Sequence, residues 1–212
     1  MIAVLTGDIV NSTQLSESDY RLVTNNVKSS CEVLKQRFEA QWELYRGDGF
    51  QVSVPTPEKA MLCAIILKTS LRRMFSDGEP VDITLSIGIG NQTIHSEKLG
   101  TSFGSAFLLS GHGLDHSPKG ELTIHVDQKM AVLSNALSLT TRFISHFLSQ
   151  LSKKQSEVLY YYVLMSYPEQ QIIAELISTS RQNVSKHLNR AGAELIKDYL
   201  LFFEEQLEQA IA

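Results

Sequence analysis

The chain opens on an apolar run, Met1 to Thr6, that ends at a Gly-Asp pair, and a short run with that boundary predicts a buried strand. From Ser16 to about Ala40, apolar residues recur at helical spacing (Leu22, Val27, Val33, Leu34, Phe38), with Ser16 or Ser18 placed to cap the helix. "WELYRGDGFQVSV" then reads as two strands joined at Asp48-Gly49, a pair that suits a tight turn needing positive φ at both central positions. "TPEKAMLCAIILKTSLRRMF" predicts a second helix with Pro57 in its first turn and an almost continuous apolar surface. After an Asp77-Gly78 break, "DITLSIGIG" is a further strand. "FGSAFLLSGHGLDHS" is helical in part, and "ELTIHV" is strand-like. The order β-α-β-β-α-β, then α and β, predicts an α+β fold of ferredoxin-like pattern: an antiparallel sheet with helices on one face.

The pattern changes after Val126. From Gln128 to Ala212 there is no strand signal and only one glycine and one proline, which predicts an all-helical region. The division expected is a sheet domain over residues 1–127, a connecting helix over 128–150 and a helical domain over 151–212. Within the last, one helix covers Lys153 to Leu164, Pro168 opens a second, and Ser178-Thr179-Ser180 turns into a third beginning at Arg181. Ala174 is the small residue that a helix-turn-helix needs where its helices cross. Val184, Leu188 and Ala191 supply inward positions at i, i+4 and i+7. The opposite face presents Arg181, Gln182, Ser185, Lys186, Asn189 and Arg190, a set of donors and acceptors suited to phosphates and base edges of double-stranded DNA. The final segment, with Leu200 to Phe203 in a row, predicts an amphipathic helix that either dimerises or packs back on the sheet domain.

Composition narrows the class. With 212 residues, 43% hydrophobic and 20% charged, the chain is ordinary for a globular protein. A net charge of −4 excludes a grossly basic nucleic-acid binder but not a local basic face. No apolar run is long enough to span a bilayer, and no secretory signal pattern is present at the N-terminus. Cys31 and Cys63 have no metal-ligand spacing and read as buried free thiols of a cytoplasmic protein.

The chemistry concentrates on two aspartates. In a β-α-β-β sheet the first strand lies beside the hairpin, so Asp8 at its end is expected next to Asp48 at the turn. Two close carboxylates repel unless a hard cation such as Mg²⁺ or Mn²⁺ lies between them, and Mg²⁺ commonly takes one or two carboxylates plus phosphate oxygens. Singly, Asp8 reads equally as a cap and Asp48 as a turn residue.

"TGDIVNST", "RGDGFQVSV", "TLSIGIG" and "TSFGSAFLLSG" resemble, in order and spacing, the core motifs of class III nucleotidyl cyclases, over about Met1 to Val126. The whole chain resembles the SatD-like proteins of bacteria, and its helical part resembles the helix-turn-helix of sigma-factor region four. The cyclase resemblance implies that Asp8 and Asp48, with the carbonyl of Ile9, hold divalent metal ions that bind a triphosphate, in a homodimer. It also implies nucleotide contacts from Thr101. The family's base-selecting position falls here on Leu44, with Glu43 and Arg46 out of register. The family's transition-state asparagine and arginine fall on Leu108 and His112. The expectation is therefore a transcriptional regulator whose degenerate cyclase-like domain binds a nucleotide with Mg²⁺ through Asp8, Ile9, Asp48, Thr101 and His112. The alternatives are an active nucleotidyl cyclase or other triphosphate-processing enzyme, and a metal-independent dimeric scaffold.

Overall fold

The computed structural model describes residues 1–45, 47–74, 81–93 and 99–211. Five strands form one sheet in the order β2-β3-β1-β4-β5. They are β1 (Ile2–Ile9), β2 (Gln41–Tyr45), β3 (Gly49–Val54), β4 (Ile83–Gly90) and β5 (Leu122–Val126). The central β1 is antiparallel to both β3 and β4, as the ferredoxin-like pattern requires. β5 is parallel to β4, so the sheet is mixed rather than purely antiparallel.

Alternation along the strands separates two faces. Ala3, Leu5 and Ile9 of β1, with Phe50, Val52 and Val54 of β3 and Ile83, Leu85, Ile87 and Ile89 of β4, point into the main core. That core is covered by α1 (Glu17–Phe38) and α2 (Ala60–Arg72). Ser16 caps α1, accepting from the Asp19 N–H, and Glu39 ends it in the left-handed region at φ 54°. The inward stripe of α1 is Val23, Val27, Cys31 and Leu34. Leu22, expected to face inward, is 51% exposed because the stripe begins one residue later.

The opposite face carries α3 (Ser105–His116), so the expectation of helices on one face is corrected. Thr6 Oγ1 donates to Ser110 Oγ of α3 at 2.8 Å. Glycines permit this close layer: a Cβ at Gly88 would lie 2.2 Å from the Ala106 carbonyl oxygen, and one at Gly113 would lie 2.2 Å from Ser86 Oγ. The connection β4-α3-β5 is the crossover that returns the chain parallel to β4.

The helices that follow are α4 (Ala131–Ser149), α5 (Lys153–Leu164), α6 (Gln170–Leu176), α7 (Arg181–Arg190) and α8 (Ala193–Ile211). Of these, α5 and α8 pack on α2 and α4 packs on β5, and buried residues from both parts form one continuous core. This explains the unbroken apolar surface of α2, of which every residue but Leu62 is buried: the sheet and α1 cover one side, α5 and α8 the other. Leu200 and Phe203 of α8 are buried while Leu201 and Phe202 stay half exposed, and Lys59 Nζ pairs with Glu204 at 2.7 Å. The C-terminal helix thus packs back on the sheet region, one of the two options open from sequence. Cys31 and Cys63 are buried and free. The predicted Asp77-Gly78 break lies outside the described residues. Among the described residues, no helix is long and apolar enough to cross a membrane.

Candidate functional site

The hairpin between β2 and β3 closes differently from the expected Asp48-Gly49 turn. Tyr45 pairs with Gly49, and the positive φ falls on Gly47 at 87°. A left-handed glycine just before it leaves Asp48 free to turn toward β1. Two bonds hold the loop there: Tyr20 Oη of α1 donates to the Gly47 carbonyl at 2.6 Å, and Ser12 Oγ donates to Asp48 Oδ2.

In the β1–β3 register Asp8 lies opposite Gly49, with Asp48 one residue beyond. The two carboxyls meet in a cavity of about 330 Å³, which Tyr45, Thr84, Asp115, Ser117 and Lys119 also line. Burial raises the Asp8 carboxyl above the usual carboxylate range; the Asp48 charge and a hydrogen bond between the two carboxyls raise it further. The Ile9 N–H and the more distant Lys119 ammonium act the other way. The Tyr45 hydroxyl is also pushed up, first by burial and then by the Asp8 and Asp115 charges. Among the described residues, no group of three or more His, Cys, Asp or Glu side chains is arranged to hold a metal. The donor set is two carboxylates, which suits a hard cation completing its shell with water and ligand oxygens. Asp8 and Asp48 would hold such an ion, which would neutralise their repulsion and bind phosphate oxygens.

The remaining predicted residues are distributed differently. The Ile9 side chain is 3% exposed on the core face, so only its main chain reaches the site. Thr101 stands exposed in the turn Leu99–Thr101, and His112 is exposed on α3. Neither lines the carboxylate cavity. The His112 carbonyl accepts from His116 Nδ1 at 2.7 Å. Leu108, the other position matched to the cyclase pair, is 45% exposed and also outside the cavity.

Sequence reasoning missed three residues. Asp115 and Lys119 reach the cavity only because α3 crosses back over the sheet, and nothing in their local pattern marks them. Glu43 was set aside as out of register with the family's base-selecting position. Register in fact puts Leu44 opposite Phe50, toward the core, and Glu43 opposite Gln51, on the α3 face. There its carboxylate accepts from the Gly100 N–H at 2.9 Å. A neighbouring recess of about 430 Å³, lined by Gln51, Gly100, Ser102 and Phe107, shares Tyr45 with the carboxylate cavity.

At the other end of the chain, α6 and α7 are joined by a turn in which Ser178 takes the left-handed region at φ 52°, the role often filled by glycine. Ser180 caps α7, accepting from the Asn183 N–H at 3.2 Å. Val184, Leu188, Ala191 and Ala174 are buried. Arg181, Gln182, Lys186, Asn189 and Arg190 are exposed, and Ser185 is half-buried. Burial lowers the His187 imidazole, with Lys186 and Arg190 adding to the effect.

No family model matches the chain, and no curated protein does. Solved structures similar to it include the dimeric guanylyl cyclase domain of the RhoGC fusion protein from the aquatic fungus Blastocladiella emersonii. That comparison has 17% identity, covers 58% of this chain and 77% of the other, and has a TM-score of 0.44. The guanylate cyclase domain of RhGC from Catenaria anguillulae, determined in complex with GTP, is 18% identical over 58% of this chain and 76% of its own, with a TM-score of 0.43. The adenylyl cyclase CyaB from P. aeruginosa is 15% identical over 64% of this chain and 81% of its own, with a TM-score of 0.41.

Proposed function

We propose that this chain is a cytoplasmic transcriptional regulator, working as a homodimer. Its sheet region binds a nucleotide with Mg²⁺ or Mn²⁺ at Asp8 and Asp48, and that state controls DNA binding by α7. The observation that carries the proposal is the meeting of Asp8 and Asp48 in one cavity, where burial and then the Asp48 charge raise the Asp8 carboxyl. Binding rather than turnover is favoured because Leu108, at the position matched to the family's transition-state asparagine, has no hydrogen-bond donor in its side chain. A donor that stabilises developing charge is worth ~10²–10³ in rate, and Leu108 supplies none.

A chain of contacts supports the coupling. Beyond Asp8, the Val10 N–H donates to the Asp82 carbonyl at 3.0 Å. The Asp82 carboxylate binds Arg72, whose second nitrogen donates to the Ser149 carbonyl at 2.7 Å and the Leu151 carbonyl at 3.1 Å. These bonds link the strand end to the point where α4 gives way to α5.

Thermal melts with ATP or GTP and Mn²⁺ test the sensor half: a shift is expected in the native protein and none in Asp8→Ala. Absence of any shift in the native protein removes it. For DNA, Arg181→Ala and Lys186→Ala are each expected to weaken binding and to reduce the salt slope by about one. No affinity for any duplex removes that half, and a cyclic product from incubation with triphosphate and Mn²⁺ replaces the binder with an enzyme.

A further inference from the structure

A larger cavity, of about 800 Å³, adjoins the carboxylate site and shares Lys119 with it. Its floor is the ends of three strands: Val10 after β1, Asp82 before β4, and Glu121 before β5. Its wall is α4. Leu139 and Phe143, one turn apart on that helix, are 53% and 68% exposed within this concave surface. Large apolar side chains so exposed in a recess are the feature that marks a ligand site rather than a plain surface.

The charge lining the cavity runs against that of the molecule. The chain as a whole is net −4. Here Arg72, Lys119 and Arg142 stand with His146 against Asp82 and Glu121. Asp82 is already consumed: Lys68 Nζ bonds one oxygen at 2.8 Å and Arg72 bonds the other at 2.9 Å. Among the described residues, the side chains of Arg142 and His146 make no hydrogen bond or ion pair. Arg72 is 6% exposed, and its Nε is buried without a partner. A recess with apolar walls, a free guanidinium at its rim and a buried, incompletely bonded guanidinium at its base is complementary to an apolar body carrying one negative charge.

We propose that this cavity binds a small organic acid with an apolar body. The aryl or branched alkyl part lies on Leu139 and Phe143, and the acid group meets Arg142 and Lys119. The site is distinct from the carboxylate cavity, whose three aspartates would repel the same ligand. It does not depend on the proposed nucleotide or DNA binding.

Fluorescence titration with 8-anilinonaphthalene-1-sulfonate tests it, because this probe joins an aromatic body to one negative charge. One saturable site per chain is expected, with at least tenfold weaker binding in Arg142→Gln and in Phe143→Ser. Val132→Ser is the control: Val132 lies on the same helix, 94% exposed and outside the cavity, and is expected to bind as the native protein does. 3-Phenylpropionate is expected to displace the probe, and 3-phenylpropanol is not. No saturable site, unchanged binding in Arg142→Gln or Phe143→Ser, or equal displacement by the alcohol would each overturn the proposal. Arg142 and Phe143 are both exposed, so neither substitution removes a core contact.

Discussion

The ammonium of Lys68, fully buried, bonds Asp82 Oδ1 at 2.8 Å, while Arg72 takes the other oxygen. Lys68 is satisfied further by the Ile83 and Gly120 carbonyls at 2.9 and 2.8 Å. One carboxylate thus answers two buried cations at the point where sheet, α2 and α4 converge. Burial pulls the Lys68 ammonium below the usual lysine range, and Asp82 opposes that shift. Asp82→Asn leaves both cations without a counter-charge, and a loss of about 3–5 kcal/mol is expected in urea unfolding. A loss under about 1 kcal/mol would mean that the cluster is replaceable.

Asp8 gives a pH dependence with a defined sign. Its carboxyl is raised in the folded state, so the folded chain holds that proton more tightly than the unfolded one. Its contribution is therefore favourable at low pH and is lost as pH rises from the ordinary carboxylate value through the raised one. Asp48→Asn removes a source of the shift, so melting temperature without metal should fall less steeply over that window than in the native protein. Parallel pH profiles for the two proteins would contradict this. Binding of Mn²⁺ has the opposite sign, weakening as pH falls, because the ion needs both carboxylates ionised.

Two glycines of one layer should respond oppositely to alanine. At Gly88 the added methyl lies 2.2 Å from the Ala106 oxygen and 2.5 Å from the Ser110 nitrogen, both main-chain atoms. Gly88→Ala must push α3 away from β4, and overpacking of this kind costs about 1–3 kcal/mol. At Gly111, inside α3, a methyl meets nothing within 4 Å. Gly111→Ala should stabilise by about 0.5–1 kcal/mol through helix propensity. Denaturant melts of the pair would show whether α3 sits this close to the sheet.

Ser178 holds a left-handed conformation in the α6–α7 turn at φ 52°. Ser178→Gly relieves the side-chain penalty there, and a gain of about 0.5–1 kcal/mol is expected without change in any DNA affinity. A destabilised variant would show that the serine hydroxyl, not the turn geometry, matters.

Much of the fold was legible because local periodicity and the core agree. Val184 and Leu188 are inward at helical spacing, Ser16 and Ser180 cap their helices, and the β-α-β-β order dictates that β1 lies between β3 and β4. Errors arose where a single residue of register or a distant element decided. Leu22 differs from Val23 by one position in the helix and sits on the wrong side of it, and one position in the strand separates Leu44 on the core face from Glu43 on the α3 face.

By itself, the sequence determined that a carboxylate ends a buried strand, that a second stands in a glycine-flanked turn, and that a helical region with a polar, acid-free face follows. These are local facts, set by hydrophobic period and turn chemistry. The strand order already set Asp8 beside Asp48; tertiary structure decided how the second carboxylate is presented, since Gly47, and not Asp48 or Gly49, takes the positive φ. Only the crossover from β4 through α3 brings Asp115 and Lys119 to that cavity. Only the packing of α4 against three strand ends assembles the basic recess beside it. Each of these joins residues far apart in the chain, and periodicity carries no information about which distant surfaces will share a boundary.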